Sequence, residues 1–189
     1  MFAGRTLTSG HSNTLLGNAA GRYMTTTSKT VLIGVTAGDA INSTDADGTV
    51  AIGYQAGTGI TSGQYNTAIG FEAGKNQSTA DGNTFVGYQS GRQTTGDNNT
   101  ALGKYTMYEG AGADGNTAIG TNALQNNTAD NNTAIGYNAL TAATTGTGNV
   151  AVGAYALLLA NHADADYNVA VGYGAGENIL NGYYNILIG

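Results

Sequence analysis

The sequence predicts an all-β fold, a parallel β-roll or β-solenoid of eleven coils, and three observations carry that expectation. A motif built on Asn-Thr-Ala-Ile-Gly recurs eleven times, closing on Gly17, Gly34, Gly53, Gly70, Gly87, Gly103, Gly120, Gly136, Gly153, Gly172 and Gly189. The gaps between those glycines are 17, 19, 17, 17, 16, 17, 16, 17, 19 and 17 residues. A nearly fixed period of this size means one structural unit copied and stacked along an axis. The chain of 189 residues also holds 31 glycines and no proline, which together with a period excludes a flexible linker and collagen.

The strand of each coil is read from the columns before the closing glycine. Three residues before it stand Thr14, Val31, Val50, Thr67, Thr84, Thr100, Thr117, Thr133, Val150, Val169 and Ile186, all β-branched and suited to a pleated strand. One residue before it stand Leu16, Ile33, Ile52, Ile69, Val86, Leu102, Ile119, Ile135, Val152, Val171 and Ile188. Residues two apart share a strand face, and these two apolar columns are expected to face the inside of the coil. The column between them, mostly alanine from Ala51 to Ala170, then points outward. A strand apolar on both faces is expected to be buried on both. Small outward alanines suit close packing between copies, so the reading is a parallel homotrimer.

Asparagine opens most motifs, at Asn13, Asn66, Asn83, Asn99, Asn116, Asn132, Asn149, Asn168 and Asn185. Stacked at one strand spacing, these side chains predict an amide ladder. Five residues before the closing glycine, Gly48, Gly82, Asn98, Gly115, Asn131 and Gly148 predict a turn at positive φ. A small residue returns three places after the glycine, as in Ala56, Ala73, Ser90 and Ala123, and predicts a tight inner corner. Residues 1–189 therefore form a single repeat domain. The phase of its ends, without a capping element, is read as a segment of a longer fibrous protein, or as ends that stack into a filament.

Bulk properties exclude several functions. Twelve acidic against six basic side chains give a net charge of −6, so the sequence carries no electrostatic footprint for nucleic acid. Without cysteine there are no disulfides or thiolate metal sites. No apolar run approaches the roughly 20 residues needed to span a bilayer, and Met1-Phe-Ala-Gly-Arg-Thr6 lacks the apolar stretch of a signal peptide.

Thr49-Val-Ala-Ile-Gly53, Asn149-Val-Ala-Val-Gly153 and Asn168-Val-Ala-Val-Gly172 resemble the head repeats of trimeric autotransporter adhesins, parallel β-rolls wound about a threefold axis. The longer form at residues 131–140, Asn-Asn-Thr-Ala-Ile-Gly-Tyr-Asn-Ala-Leu, and Gly182-Tyr-Tyr-Asn-Ile-Leu-Ile-Gly189 are similar to repeats of phage tail fibres that lie upstream of an intramolecular chaperone domain. That resemblance implies a virion or cell-surface location and a rigid trimeric shaft for host attachment. A bacterial adhesin head that binds a glycan, or a self-stacking extracellular filament, is the alternative.

Candidate chemistry is sparse. Tyr54, Phe71, Tyr88, Tyr137 and Tyr173 directly follow closing glycines and either line a glycan-binding face or pack at corners of the roll; packing is the preferred reading. Tyr65, Tyr167, Tyr183 and Tyr184 fall in variable turns and are expected at the surface. Asp45 and Asp47, and Asp164 and Asp166, lie in the two coils of 19-residue spacing. They offer carboxylates to a hard cation but too few oxygens alone, so solvated turns are preferred and no metal is assigned. His11 and His162 stand alone. Glu72, Glu109 and Glu177 fall in different coils, and no nucleophile elbow, phosphate loop or His-carboxylate pair is present, so neither an enzyme nor a cofactor is expected. Ice binding by the Thr67 to Thr133 ladder ranks last, because that column alternates with valine and is read as interior.

Overall fold

The computed structural model describes residues 2–142, 145–160 and 165–189. Eleven strands of three residues each follow one another: β1 (Thr14–Leu16), β2 (Val31–Ile33), β3 (Val50–Ile52), β4 (Thr67–Ile69), β5 (Thr84–Val86), β6 (Thr100–Leu102), β7 (Thr117–Ile119), β8 (Thr133–Ile135), β9 (Val150–Val152), β10 (Val169–Val171) and β11 (Ile186–Ile188). They form one parallel sheet in sequence order. Every rung pairs motif with motif, as Thr67 with Thr84, Ala68 with Phe85 and Ile69 with Val86. The fold is the β-solenoid that the period predicts, about 17 residues to a turn. In the 19-residue coil that closes on Gly53, a turn of 3-10 helix at Thr44–Ala46 takes up extra chain away from the strand.

Backbone chemistry explains the closing glycine. Its φ lies between 124° and 156° in all eleven motifs, a region side chains rarely adopt. A Cβ on Gly53 would also strike the carbonyl of Gly70, and one on Gly70 that of Gly87. Gly48, Gly82, Asn98, Gly115, Asn131 and Gly148 take positive φ as their residue types predicted, for example 79° at Gly48 and 58° at Asn98. Ser12, Lys29, Tyr65, Tyr167 and Tyr184 take it at the same place in the other coils.

The two faces of the strand are the reverse of the sequence expectation. Leu32, Ala51, Ala68, Phe85, Ala101, Ala118, Ala134, Ala151 and Ala170, the middle column, are fully buried inside the coil. The β-branched column and the Ile/Leu/Val column face outward, half-buried or exposed. The reason is volume. A 17-residue coil is narrow, and opposite each strand it already holds the small inner corner (Ala20, Ala37, Ala56, Ala73, Ser90, Thr106, Ala123, Ala139, Ala156, Ala175). What space remains admits about one large side chain per turn. The alanine column is therefore not an intersubunit surface, and that argument for a trimer falls.

The large side chain changes place along the rod. In early coils glycine stands four residues after the closing glycine and a large residue three places later, as Gly21 with Met24, Gly38 with Ile41 and Gly57 with Ile60. In later coils Met107, Leu124 and Leu157 occupy the first place and Gly110, Asn127 and Ala160 the second. Gly91 leaves room for Phe85, which fills that coil from the strand itself. The three arrangements deliver similar apolar volume from different positions. Burying such a side chain contributes about 2–3 kcal/mol, enough to hold Leu124 at the unfavourable φ of 50°.

The asparagine column is also built differently from the expected amide ladder. Asn66 Oδ1 accepts the backbone N–H of Asn83 at 2.9 Å, Asn83 Oδ1 that of Asn99 at 2.8 Å, and Asn99 Oδ1 that of Asn116 at 2.9 Å. The chain of bonds runs on through Asn132, Asn149 and Asn168 to Asn185. The amide nitrogens of Asn66, Asn83, Asn99, Asn132, Asn149 and Asn168 donate instead to backbone carbonyls across the turn, at 2.6–2.9 Å. Among the described residues, one side chain of the column meets another only between Asn116 and Asn99, Asn168 and Asn149, and Asn185 and Asn168. Each asparagine thus closes one coil and ties it to the next, satisfying backbone groups that a three-residue strand leaves over.

Candidate functional site

The most distinctive surface is the outward face of the sheet. Both of its columns are free of charged residues from Thr14 to Ile188. Leu16, Leu102, Ile119, Ile135, Val171 and Ile188 on it are exposed, Leu102 to 48%. Beside them Thr67, Thr84, Thr100, Thr117 and Thr133 occupy five successive rungs. Their hydroxyls make no hydrogen bond to another group among the described residues. The sequence placed this face indoors; the clue to the contrary was the swap of large residues after the glycine, which shows what fills the coil.

The aromatic residues run along one margin of this face. Tyr54 stacks on Phe71 at 5.0 Å and 20°, and Phe71 on Tyr88 at 5.3 Å and 11°. Tyr105 and Tyr108 continue the row edge-on. Lys104 and Thr121 interrupt the column, and Tyr137, Tyr155 and Tyr173 form a second row with edge contacts of 5.4 and 5.6 Å. The five rings singled out from sequence are thus brought into two groups. In the first, ring faces cover one another and edges meet solvent, whereas a sugar stacks on an open ring face. Lys104 lies over the rings of Tyr105 and Tyr88 at 5.0 and 5.8 Å, and Arg92 over Tyr108 at 5.6 Å. Desolvation among these neighbours, reinforced by an adjacent tyrosine, pushes the Tyr88 and Tyr155 hydroxyls above the ordinary range. Tyr65, Tyr167, Tyr183 and Tyr184 are exposed in turns as expected.

Glu72 is the centre of a small ionic cluster. It accepts from Lys75 Nζ at 2.7 Å, Arg92 Nε at 2.8 Å and Gln89 Nε2 at 2.6 Å. The Lys75 bond, opposed by burial and aided by Arg92 and Gln89, lowers its pKa to about 2. A carboxylate held ionised by two cations is a poor general base, and its place is that of a tie between coils. Glu109 is exposed and Glu177 half-buried in other coils.

Among the described residues no group of three or more acidic or histidine side chains is arranged to hold a metal ion. Asp47 Oδ1 accepts the Ser28 N–H and Asp166 Oδ1 the Thr147 N–H, both at 2.7 Å. Asp45 sits in the first turn of the 3-10 helix, His11 is exposed, and Asp164 and His162 lie outside the described residues. The same bond recurs through a column whose Asp-Gly pairs the sequence marks only as turns: Asp81, Asp97, Asp114 and Asp130 each accept a backbone N–H of the preceding coil at 2.7–2.9 Å. Asp-Gly and Asp-Asn pairs at one spacing were its sequence signal. Two hollows among the described residues, one beside Thr128, Asp130 and Thr147 and one over β11, are open to solvent. No helix of the described residues is long and apolar enough to cross a membrane. No family model, curated protein or solved structure matches the chain.

Proposed function

We propose that the chain is a stiff shaft segment of a trimeric fibre, of the kind its repeats resemble in phage tail fibres, which carries a host-binding part at a distance from its base. The observation that supports this most directly is the unbroken in-register stack from β1 to β11, in which backbone bonds join each strand to the next and asparagine or aspartate side chains reinforce most of the junctions. Its mechanism is mechanical, and no catalytic group, metal or cofactor is assigned. Ten intervals of about 4.8 Å give a rod of roughly 50 Å. Light scattering should report the mass of three chains, and electron microscopy a finite rod. A stable monomer would refute the trimer, and end-to-end growth would favour the self-stacking filament. Glycan binding as an adhesin head is the lesser reading, with Tyr173, 76% exposed, as its most accessible ring; loss of glycan-array binding in Tyr137→Ala and Tyr173→Ala would support it.

One observation favours a second reading. The threonine ladder faces outward, which removes one of the two grounds for ranking ice binding low and leaves the other, the valines that share its column. Hydroxyls and methyls repeated at the strand spacing offer an ordered array to water. Thermal hysteresis in the wild type that vanishes in Thr100→Lys would carry this reading; ordinary freezing of a dilute monomer would end it.

A further inference from the structure

We propose that the outward sheet face is where copies of this chain meet, in parallel and rung for rung, so that the β-branched and Ile/Leu/Val columns of three copies converge on one axis. This rests on the trimeric shaft proposed above and names its interface, which the sequence reading had put on the alanine column. Three observations point to a second copy as the occupant.

The first is charge. The chain carries −6 overall, so copies repel over most of their surface, yet the two strand columns of this face carry no charge along their whole length. Lys104 is the one charged residue in the row directly after the closing glycines. Apolar area of this extent marks an interaction site. The second is size. Ten strand spacings by four residues of width, from the β-branched column to the aromatic row, cover about 50 Å by 13 Å, or roughly 650 Å². A standard interface buries about 800 Å² per partner, so this face, aromatic row included, supplies most of that area. The third is the pattern along the axis. The β-branched column reads Thr at β1, Val at β2 and β3, Thr from β4 to β8, Val at β9 and β10, and Ile at β11.

That pattern fixes height. When copies align rung for rung, threonine meets threonine, and the five hydroxyls that find no partner within the chain find one across the axis. Slipping by one rung sets threonine against valine at three places, β1 with β2, β3 with β4 and β8 with β9. A hydroxyl buried unpaired is penalised, so the aligned register wins. An antiparallel pair would match the central block too, but would set Thr14 against Ile186 at both ends. A shaft that carries something at one tip also needs its chains to point the same way.

The test combines charge insertion with cross-linking. Thr100→Lys and Ile119→Lys, made singly on outward positions, should lower the light-scattering mass threefold with an unchanged circular dichroism spectrum, while Asn126→Lys, off this face, should leave it unaltered. The chain has no cysteine, so Ile52→Cys on β3 adds one thiol, which oxidation should link to the same position of another copy. In an antiparallel pair β3 faces β9, and linking would require Ile52→Cys mixed with Val152→Cys. A trimer that survives both lysine variants would overturn the interface and leave the shaft reading standing. A monomeric wild type would overturn both. Linkage only in the mixture would overturn the parallel arrangement.

Discussion

Glu72 shows how one residue can tie three coils. It joins its own turn to the next through Gln89 and Arg92, and Arg92 reaches Tyr108 beyond at 3.2 Å. Its folded pKa of about 2 lies below the ordinary 4.5, so the carboxylate adds stability that is complete above pH 4.5. That contribution is lost as pH falls toward 2. Glu72→Gln should therefore melt lower than wild type at pH 7, and the gap should close by about pH 2 in a series of melts. Gln77 is the opposite case. It is fully buried, its Nε2 donates to Asn66 Oδ1 at 3.3 Å, and its Oε1 has no partner. Equivalent coils place Met24, Ile41 and Ile60 there. Gln77→Met should raise stability by about 1–3 kcal/mol in denaturant unfolding, the cost of one unsatisfied buried acceptor, since Asn66 keeps its bond from Asn83.

At the scale of the coil, one large side chain per turn behaves as a shared quota. Gly57→Leu alone should destabilise, because its Cβ would meet Ile60 Cδ1 at 2.9 Å and Ala51 Cβ at 3.3 Å. Adding Ile60→Ala should recover most of the loss, reproducing the arrangement around Leu157 and Ala160. A double-mutant cycle should then give a favourable coupling of about 1–3 kcal/mol; independent effects would refute the shared volume. The same quota explains what the sequence made legible. Period, strand position, turns and the closing glycine followed from columns, because each is dictated by backbone geometry repeated at fixed spacing. Strand facing did not, because alternation separates two faces without saying which is inside. Alanine on one face and isoleucine on the other suggested the larger residue for the core, as in a wide sheet. Only the interchange of Met24 with Leu124-type positions, three columns apart, reveals how little room the coil has. The role of the aspartate column was missed because its carboxylates bond to backbone one coil away, a contact invisible within one repeat. The aromatic positions were read correctly as a column, but their division into two rows depends on Lys104 and Thr121 breaking it.

Charge is sorted across the whole molecule. Asp81, Asp97, Asp114 and Asp130 stand on consecutive rungs, each about 4.8 Å from the next. Arg22, Lys75 and Arg92 sit instead five residues after their closing glycines, where Asp39 and Glu72 receive them. Like charges at one strand spacing repel within a Debye length of about 10 Å at 0.1 M salt. Asp97→Asn keeps the Oδ1 that accepts the Asp81 N–H and removes one charge from the row. It should raise the melting temperature in low salt, and the gain should fade near 1 M, where screening shortens to about 3 Å.

The repeated single turn also decides how such a rod would yield under tension. Pulled along its axis, it gives way at an end, where a coil has one neighbour instead of two. Freeing that coil releases about 17 residues, close to 60 Å of extended chain, in place of one rung of about 4.8 Å. Each rupture thus slackens the line more than tenfold before the next coil is loaded. A tether built this way absorbs a sudden pull by spooling out coil by coil, with the remaining coils still wound.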